Sequence, residues 1–71
     1  MNTEYTAVIK HTDAGWIGWI EEIPGVNCQE HTHKELIESL RLTLTEAIEF
    51  NRLDAISAIG PDYIEEKIAA I

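Results

Sequence analysis

The stretch Gly15-Trp16-Ile17-Gly18-Trp19-Ile20-Glu21-Glu22-Ile23-Pro24-Gly25 constrains this chain more than any other part of it. Aromatic and β-branched residues crowd its first half and suit a pleated surface, while Pro24-Gly25 interrupts any ladder or helix. A strand therefore runs from Trp16 and ends near Ile23. Alternation places Trp16, Gly18 and Ile20 on one face and Ile17 and Trp19 on the other. Both faces are apolar, so the strand is expected inside a sheet, with its second face against another chain. Ile17 and Trp19 are the candidate self-association residues.

The rest of the chain arranges itself around this strand. Residues 4–11 alternate Tyr5, Ala7, Ile9 against Thr6, Val8, Lys10 and read as a preceding strand. Thr12-Asp13-Ala14-Gly15 supplies turn residues, so the two strands form an antiparallel hairpin. Residues 26–30, after Pro24-Gly25, read as a short third strand that continues the meander. The period then changes. Thr32 with Glu35 is a Thr-x-x-Glu capping box, in which each side chain is expected to satisfy a backbone donor at a helix start. Leu36, Ile37, Leu40, Leu44, Ala47 and Ile48 share one side of that helix, a stripe of the width that packs on a sheet. The helix reaches about Asn51 or Arg52, and Leu53 to Ile59 either continues it or forms a separate turn. Gly60-Pro61-Asp62 is a break. Residues 63–71, with Glu65-Glu66-Lys67 in their middle, are either a helix with Pro61 in its first turn or a last strand; the strand at a sheet edge is preferred, because a lone nine-residue helix is marginal. The expected fold is α+β: a small two-layer sandwich of three to four antiparallel strands, ordered β-β-β-α-β, with one long helix on one face.

At 71 residues this is one domain, residues 1–71, with a small core. Chains of this size commonly need a staple. A single cysteine, Cys28, excludes an internal disulfide framework, which leaves a metal or self-association. Cys28, His31 and His33 have donor atoms that suit zinc, but the spacing indicates no fourth ligand, and His33 falls in the first helical turn. Asp13, Glu21, Glu22 and Glu30 do not resemble a two-metal carboxylate site, since adjacent Glu21 and Glu22 point to opposite faces of a strand. Phosphate-binding glycine loops, a nucleophile elbow and a basic stripe are absent from the sequence. No catalytic residue, metal or cofactor is expected.

Five Lys+Arg stand against 13 Asp+Glu, a formal net charge of -8, which repels phosphate backbones and anionic lipid. Nucleic acid and membrane are therefore not expected as ligands, and no stretch approaches the ~20 apolar residues needed to cross a bilayer. With no secretory leader at its start, the chain is expected to be cytoplasmic. On the helix, Glu38, Leu42, Thr45, Glu46 and Glu49 lie away from the apolar stripe. Glu38, Leu42, Glu46 and Glu49 are the candidate partner-binding residues: an acidic surface with one apolar anchor, suited to a basic protein.

The order of hairpin, Ile-Pro-Gly turn, short strand and Thr-led helix resembles the HicB-like antitoxins. The residues that carry the resemblance are Asp13, Gly15, Trp16, Ile17, Gly18, Glu22, Ile23, Pro24, Gly25, Thr32, Glu35 and Leu40, across residues 5–51. Glu21 stands where the family often has proline, and Glu30-His31 replaces a usual glycine before the threonine. The resemblance implies a partial ribonuclease-H-like sandwich without nuclease activity. It also implies a non-catalytic module that binds and neutralises a small basic ribonuclease toxin of HicA type, and that forms homo-oligomers, dimers or tetramers. Many members append a helix-turn-helix or ribbon-helix-helix segment; the residues after Arg52 leave no room for one, so direct DNA binding is not expected. The alternative is an orphan self-associating scaffold or small-ligand-binding protein that keeps the fold without a toxin partner.

Overall fold

The computed structural model of the chain describes residues 4–70. Within them, strands β1 (Ala7–Thr12), β2 (Gly15–Ile20) and β3 (Asn27–Glu30) are followed by one helix, α1 (His33–Ile59). The sheet is antiparallel in the order β1-β2-β3. The molecule is thus the expected two-layer α+β arrangement with three strands.

The hairpin register follows from its two-residue turn. Thr12 faces Gly15, and from there Lys10 faces Ile17 and Val8 faces Trp19. Thr12 Oγ1 donates to the Gly15 carbonyl at 3.1 Å and accepts from Ala14 N–H at 3.3 Å. Gly15 takes φ +128, and a Cβ there would lie 2.6 Å from the Glu30 carbonyl oxygen of the neighbouring strand. Only glycine lets β3 close on the hairpin at this point.

Strand β2 ends at Ile20, earlier than the sequence suggests. Ile20 N–H donates to the Val26 carbonyl at 3.0 Å, Ile23 N–H to Ile20 at 3.3 Å and Val26 N–H to Ile23 at 3.4 Å. These bonds fold residues 21–25 into a tight turn that delivers Val26 to the core.

The core is small: Ile20, Val26, Leu36 and Leu40 are buried, with Ala7, Ile9, Trp16, Ile23, Cys28, Leu44 and Ala47 packed around them. Gly18 lies beneath the helix, where a Cβ would stand 3.2 Å from Leu36 Cδ2, Leu40 Cδ1 and the Val8 carbonyl oxygen. The helix therefore rests on bare backbone. Two polar contacts tie β3 to it: Ser39 Oγ donates to Glu30 Oε2 at 2.7 Å, and Cys28 Sγ lies 3.6 Å from Thr43 Oγ1.

Thr32 caps α1, accepting the Glu35 N–H at 3.1 Å. The other half of the expected capping box differs: the Glu35 carboxylate accepts the Thr32 hydroxyl at 2.9 Å, so the two side chains bond to each other. The helix continues without interruption through residues 53–59, which contain neither Gly nor Pro, and ends when Gly60 N–H donates to Ile56 at 3.1 Å. At 27 residues it is about 40 Å long. Strands of four to six residues span about half of that. Ile48, expected on the core stripe, is exposed: it stands 100° round the helix from Ala47, which still packs on the core.

The expected strand at residues 63–71 is corrected: residues 63–70 form neither strand nor helix, and Ile71 lies outside the described residues. The reason is helix length. Gly60 begins about 18 Å of helix beyond Ala47, the last α1 residue packed on the core, so an extended tail would use five or six residues merely returning to the sheet. Instead it turns at Asp62, which adopts φ 63, and Glu65 meets Arg52 at 3.5 Å. Tyr63 and Ile64 lie beside Ala55, Ile56 and Ile59.

Candidate functional site

Packing decides which side of α1 is available to a partner. Leu36, Leu40 and Ala47 face the sheet, and the Ser39–Glu30 and Cys28–Thr43 contacts hold the helix in that rotation. At 100° per residue, Glu38, Leu42 and Glu49 then point away from the sheet and Glu46 lies at the edge of the same side. All four predicted partner-binding residues are exposed, Leu42 by 63%. Leu42, Glu38, Arg41 and Thr45 line a shallow groove of about 320 Å³.

Two cations interrupt the acidity of this side. Arg41 sits in the groove beside Leu42, and Arg52 Nη1 lies 3.7 Å from Glu49 Oε1. An exposed pair of the latter kind contributes ~0–1 kcal/mol and leaves the carboxylate reachable. Glu38 and Glu46 have no such cation within ion-pair distance among the described residues. Helix continuity adds what the sequence reading missed: Leu53, eleven residues after Leu42, returns to the same side three turns on, about 16 Å away, and Phe50 flanks it. The absence of a breaker before Gly60 was the available signal.

The second candidate surface is the face of the sheet opposite the helix. Trp19 is 47% exposed and its cross-strand neighbour Val8 40%, while Ile17 is half-buried between Lys10 and Gln29. Ile17, Trp19, Pro24, Asn27 and Gln29 border a shallow concavity of about 650 Å³. Both predicted self-association residues thus lie on one apolar surface. Val8 belongs to it as well, and counting back from the Asp13-Ala14 turn pairs it with Trp19.

The residues considered for metal or acid chemistry are dispersed. His33 meets the edge of Trp16 at 5.2 Å and His11 stacks on the same ring at 4.4 Å, so these imidazoles serve as packing against an indole. Cys28 lies under the helix beside Thr43. Among the described residues there is no group of three or more His, Cys, Asp or Glu placed to hold a metal ion. Glu22 Oε1 accepts the Thr6 backbone N–H at 2.8 Å, and this bond holds its carboxyl below the ordinary value of 4.5. Its role is to pin the chain entering β1 to the turn after β2. Among the described residues no helix is long and apolar enough to cross a membrane.

Comparison with protein-family models, curated proteins and solved structures finds no match to this chain.

Proposed function

We propose that this chain is a non-catalytic interaction module of HicB type, a partial ribonuclease-H-like sandwich that binds a small basic protein, with a HicA-like ribonuclease toxin as the favoured partner. The observation that carries the reading is the outward side of α1, where Glu38, Glu46 and Glu49 surround a Leu42 that is well over half exposed. Complementary charge speeds encounter and selects the partner, while a desolvated apolar residue supplies affinity. The order of three antiparallel strands and a Thr-capped helix, the same order that carries the sequence resemblance, also supports it. Homo-oligomer formation through Ile17, Trp19 and Val8 belongs to the same reading, because the helix covers one face of the sheet and leaves that apolar surface open.

The test is co-purification from the native cell, followed by binding kinetics with the basic protein recovered. Leu42→Ala should raise the dissociation rate and leave association unchanged. Glu46→Lys with Glu49→Lys should lower the association rate and flatten its dependence on salt. An affinity that ignores both changes removes this side of the helix from the proposal. Binding of duplex DNA at physiological salt, or cleavage of RNA by the pure chain, would overturn the reading itself.

A further inference from the structure

Charge is sorted round the exposed part of α1. At 100° per residue its three cations, Lys34, Arg41 and Arg52, fall within about 20° of one another, and four of its five carboxylates, Glu35, Glu38, Glu46 and Glu49, occupy the neighbouring ~80°. All of these side chains are exposed. The chain's own tail takes the cationic flank: Glu65 meets Arg52 at 3.5 Å, and Tyr63 and Ile64 border a groove there with Ala55 and Ile59. The carboxylate flank stays open, with Leu42 63% and Leu53 54% exposed on it.

Along that flank Leu42, Glu46, Glu49 and Leu53 form one ridge. They lie within about 60° of arc, at about 0, 6, 10.5 and 16.5 Å along the axis, with an apolar residue at each end and two carboxylates between. This spacing selects the backbone of the occupant. An α-helix lying alongside repeats the same steps of four, three and four residues and meets all four points. A strand sets its same-face side chains about 6.7 Å apart and is out of step by the third point. Charge then selects the sign. A second copy of the ridge would set Glu46 and Glu49 against themselves, and a phosphate backbone would be repelled, so the helix that fits must bring cations.

Resting on the reading that a basic protein binds the outward side of α1, we propose that the element it presents there is an amphipathic α-helix with lysines or arginines between two apolar side chains eleven residues apart. The helix lies along the ridge, its apolar residues on Leu42 and Leu53 and its cations on Glu46 and Glu49. Leu53 is the second anchor. Two anchors about 16 Å apart fix the direction of the helix axis, which a single leucine among acids cannot do. Arg41 and Arg52 confine the helix to this flank, because they repel any cation that strays over them.

A synthetic alanine-based peptide of about five turns tests it, with lysines at the fourth and seventh positions after the first of two leucines set eleven apart. A second peptide has the same composition in scrambled order, and a third has the patterned order with a central proline. Titrated against the full chain at physiological salt by fluorescence anisotropy, the patterned peptide should bind at least ~10-fold more tightly than either. The helical circular dichroism of that mixture should exceed the sum of its parts. Leu53→Ala should weaken binding of the patterned peptide ~10-fold, about as much as Leu42→Ala. Both side chains are more than half exposed, so each variant should keep the circular dichroism of the parent. A patterned peptide that binds no more tightly than the scrambled one, equal binding of the proline peptide, or a Leu53→Ala chain that binds like the parent would overturn the proposal. The two readings fail separately. A recovered basic protein indifferent to Leu42→Ala and to reversal of Glu46 and Glu49 removes the site itself, whereas sensitivity to those changes with indifference to Leu53→Ala removes only the helical ligand.

Discussion

Gly18→Ala is the substitution that most directly tests how the two layers meet. The added Cβ would stand 3.2 Å from Leu36 Cδ2, Leu40 Cδ1 and the Val8 carbonyl oxygen, three contacts tighter than ordinary van der Waals separation. Two are side-chain ends, but both are methyls of buried leucines, and the third is backbone of a paired strand. Relief therefore requires the helix to lift or both leucines to change rotamer. Overpacking of this kind costs ~1–3 kcal/mol, and the loss of glycine's unfolded-state freedom offsets ~0.4–1 of it, which leaves a net destabilisation of roughly 1–2 kcal/mol. For a domain of this length that lowers the midpoint of thermal unfolding by ~5–15 °C. Urea denaturation of parent and variant at one fixed protein concentration is the appropriate assay, since self-association would otherwise shift both midpoints. A double-mutant cycle sharpens it. Leu40→Ala alone should cost ~2–5 kcal/mol, but it also removes one of the three clashing atoms, so the double variant should be more stable than the sum of the single effects by ~0.5–1 kcal/mol. A Gly18→Ala chain as stable as the parent, or strict additivity with Leu40→Ala, would refute this account of the helix resting on bare strand.

Thr32→Ala should cost ~1 kcal/mol by removing the acceptor for Glu35 N–H, and Glu35→Gln should cost less, because that carboxylate bonds the Thr32 hydroxyl and no backbone donor; urea midpoints compare them. Glu22→Gln should flatten the acid limb of the stability curve. A folded-state carboxyl held below 4.5 contributes stability that is present above that value and lost as the pH falls through the folded one, so the variants should converge at low pH. Trp19→Glu should weaken self-association more than Glu38→Lys, read as sedimentation mass, because Trp19 lies on the open apolar sheet face and Glu38 on the outward side of α1.

What could be read in the sequence was local. Alternation along residues 16–20 separated Trp16, Gly18 and Ile20 from Ile17 and Trp19, because successive strand side chains must diverge, and the structure lays the helix on the first set. The Thr32 start, the Pro24-Gly25 turn and the Gly60 stop likewise depend on a few neighbouring residues and on dihedral and hydrogen-bond requirements that travel with them. The same locality made Glu38, Leu42, Glu46 and Glu49 legible as one side of a helix. What the tertiary structure decided depends on the relative lengths and positions of elements distant in the chain. Periodicity grouped Ile48 with Leu44 and Ala47, yet the rotation of the packed helix turns Ile48 to the margin of the stripe, exposed where Leu36 is buried and Ala47 still meets the core. The capping box was recognisable, but which group the Glu35 carboxylate would accept from was a choice between competing donors, the Thr32 hydroxyl and a backbone N–H. Residues 63–70 have a composition that a sheet edge would accept, but they begin too far from an edge to pair with one, and Tyr63 and Ile64 instead border a groove with Ala55, Ile56 and Ile59. Periodicity reports which side of an element is apolar; only the assembled fold determines how much of that side finds something to cover it.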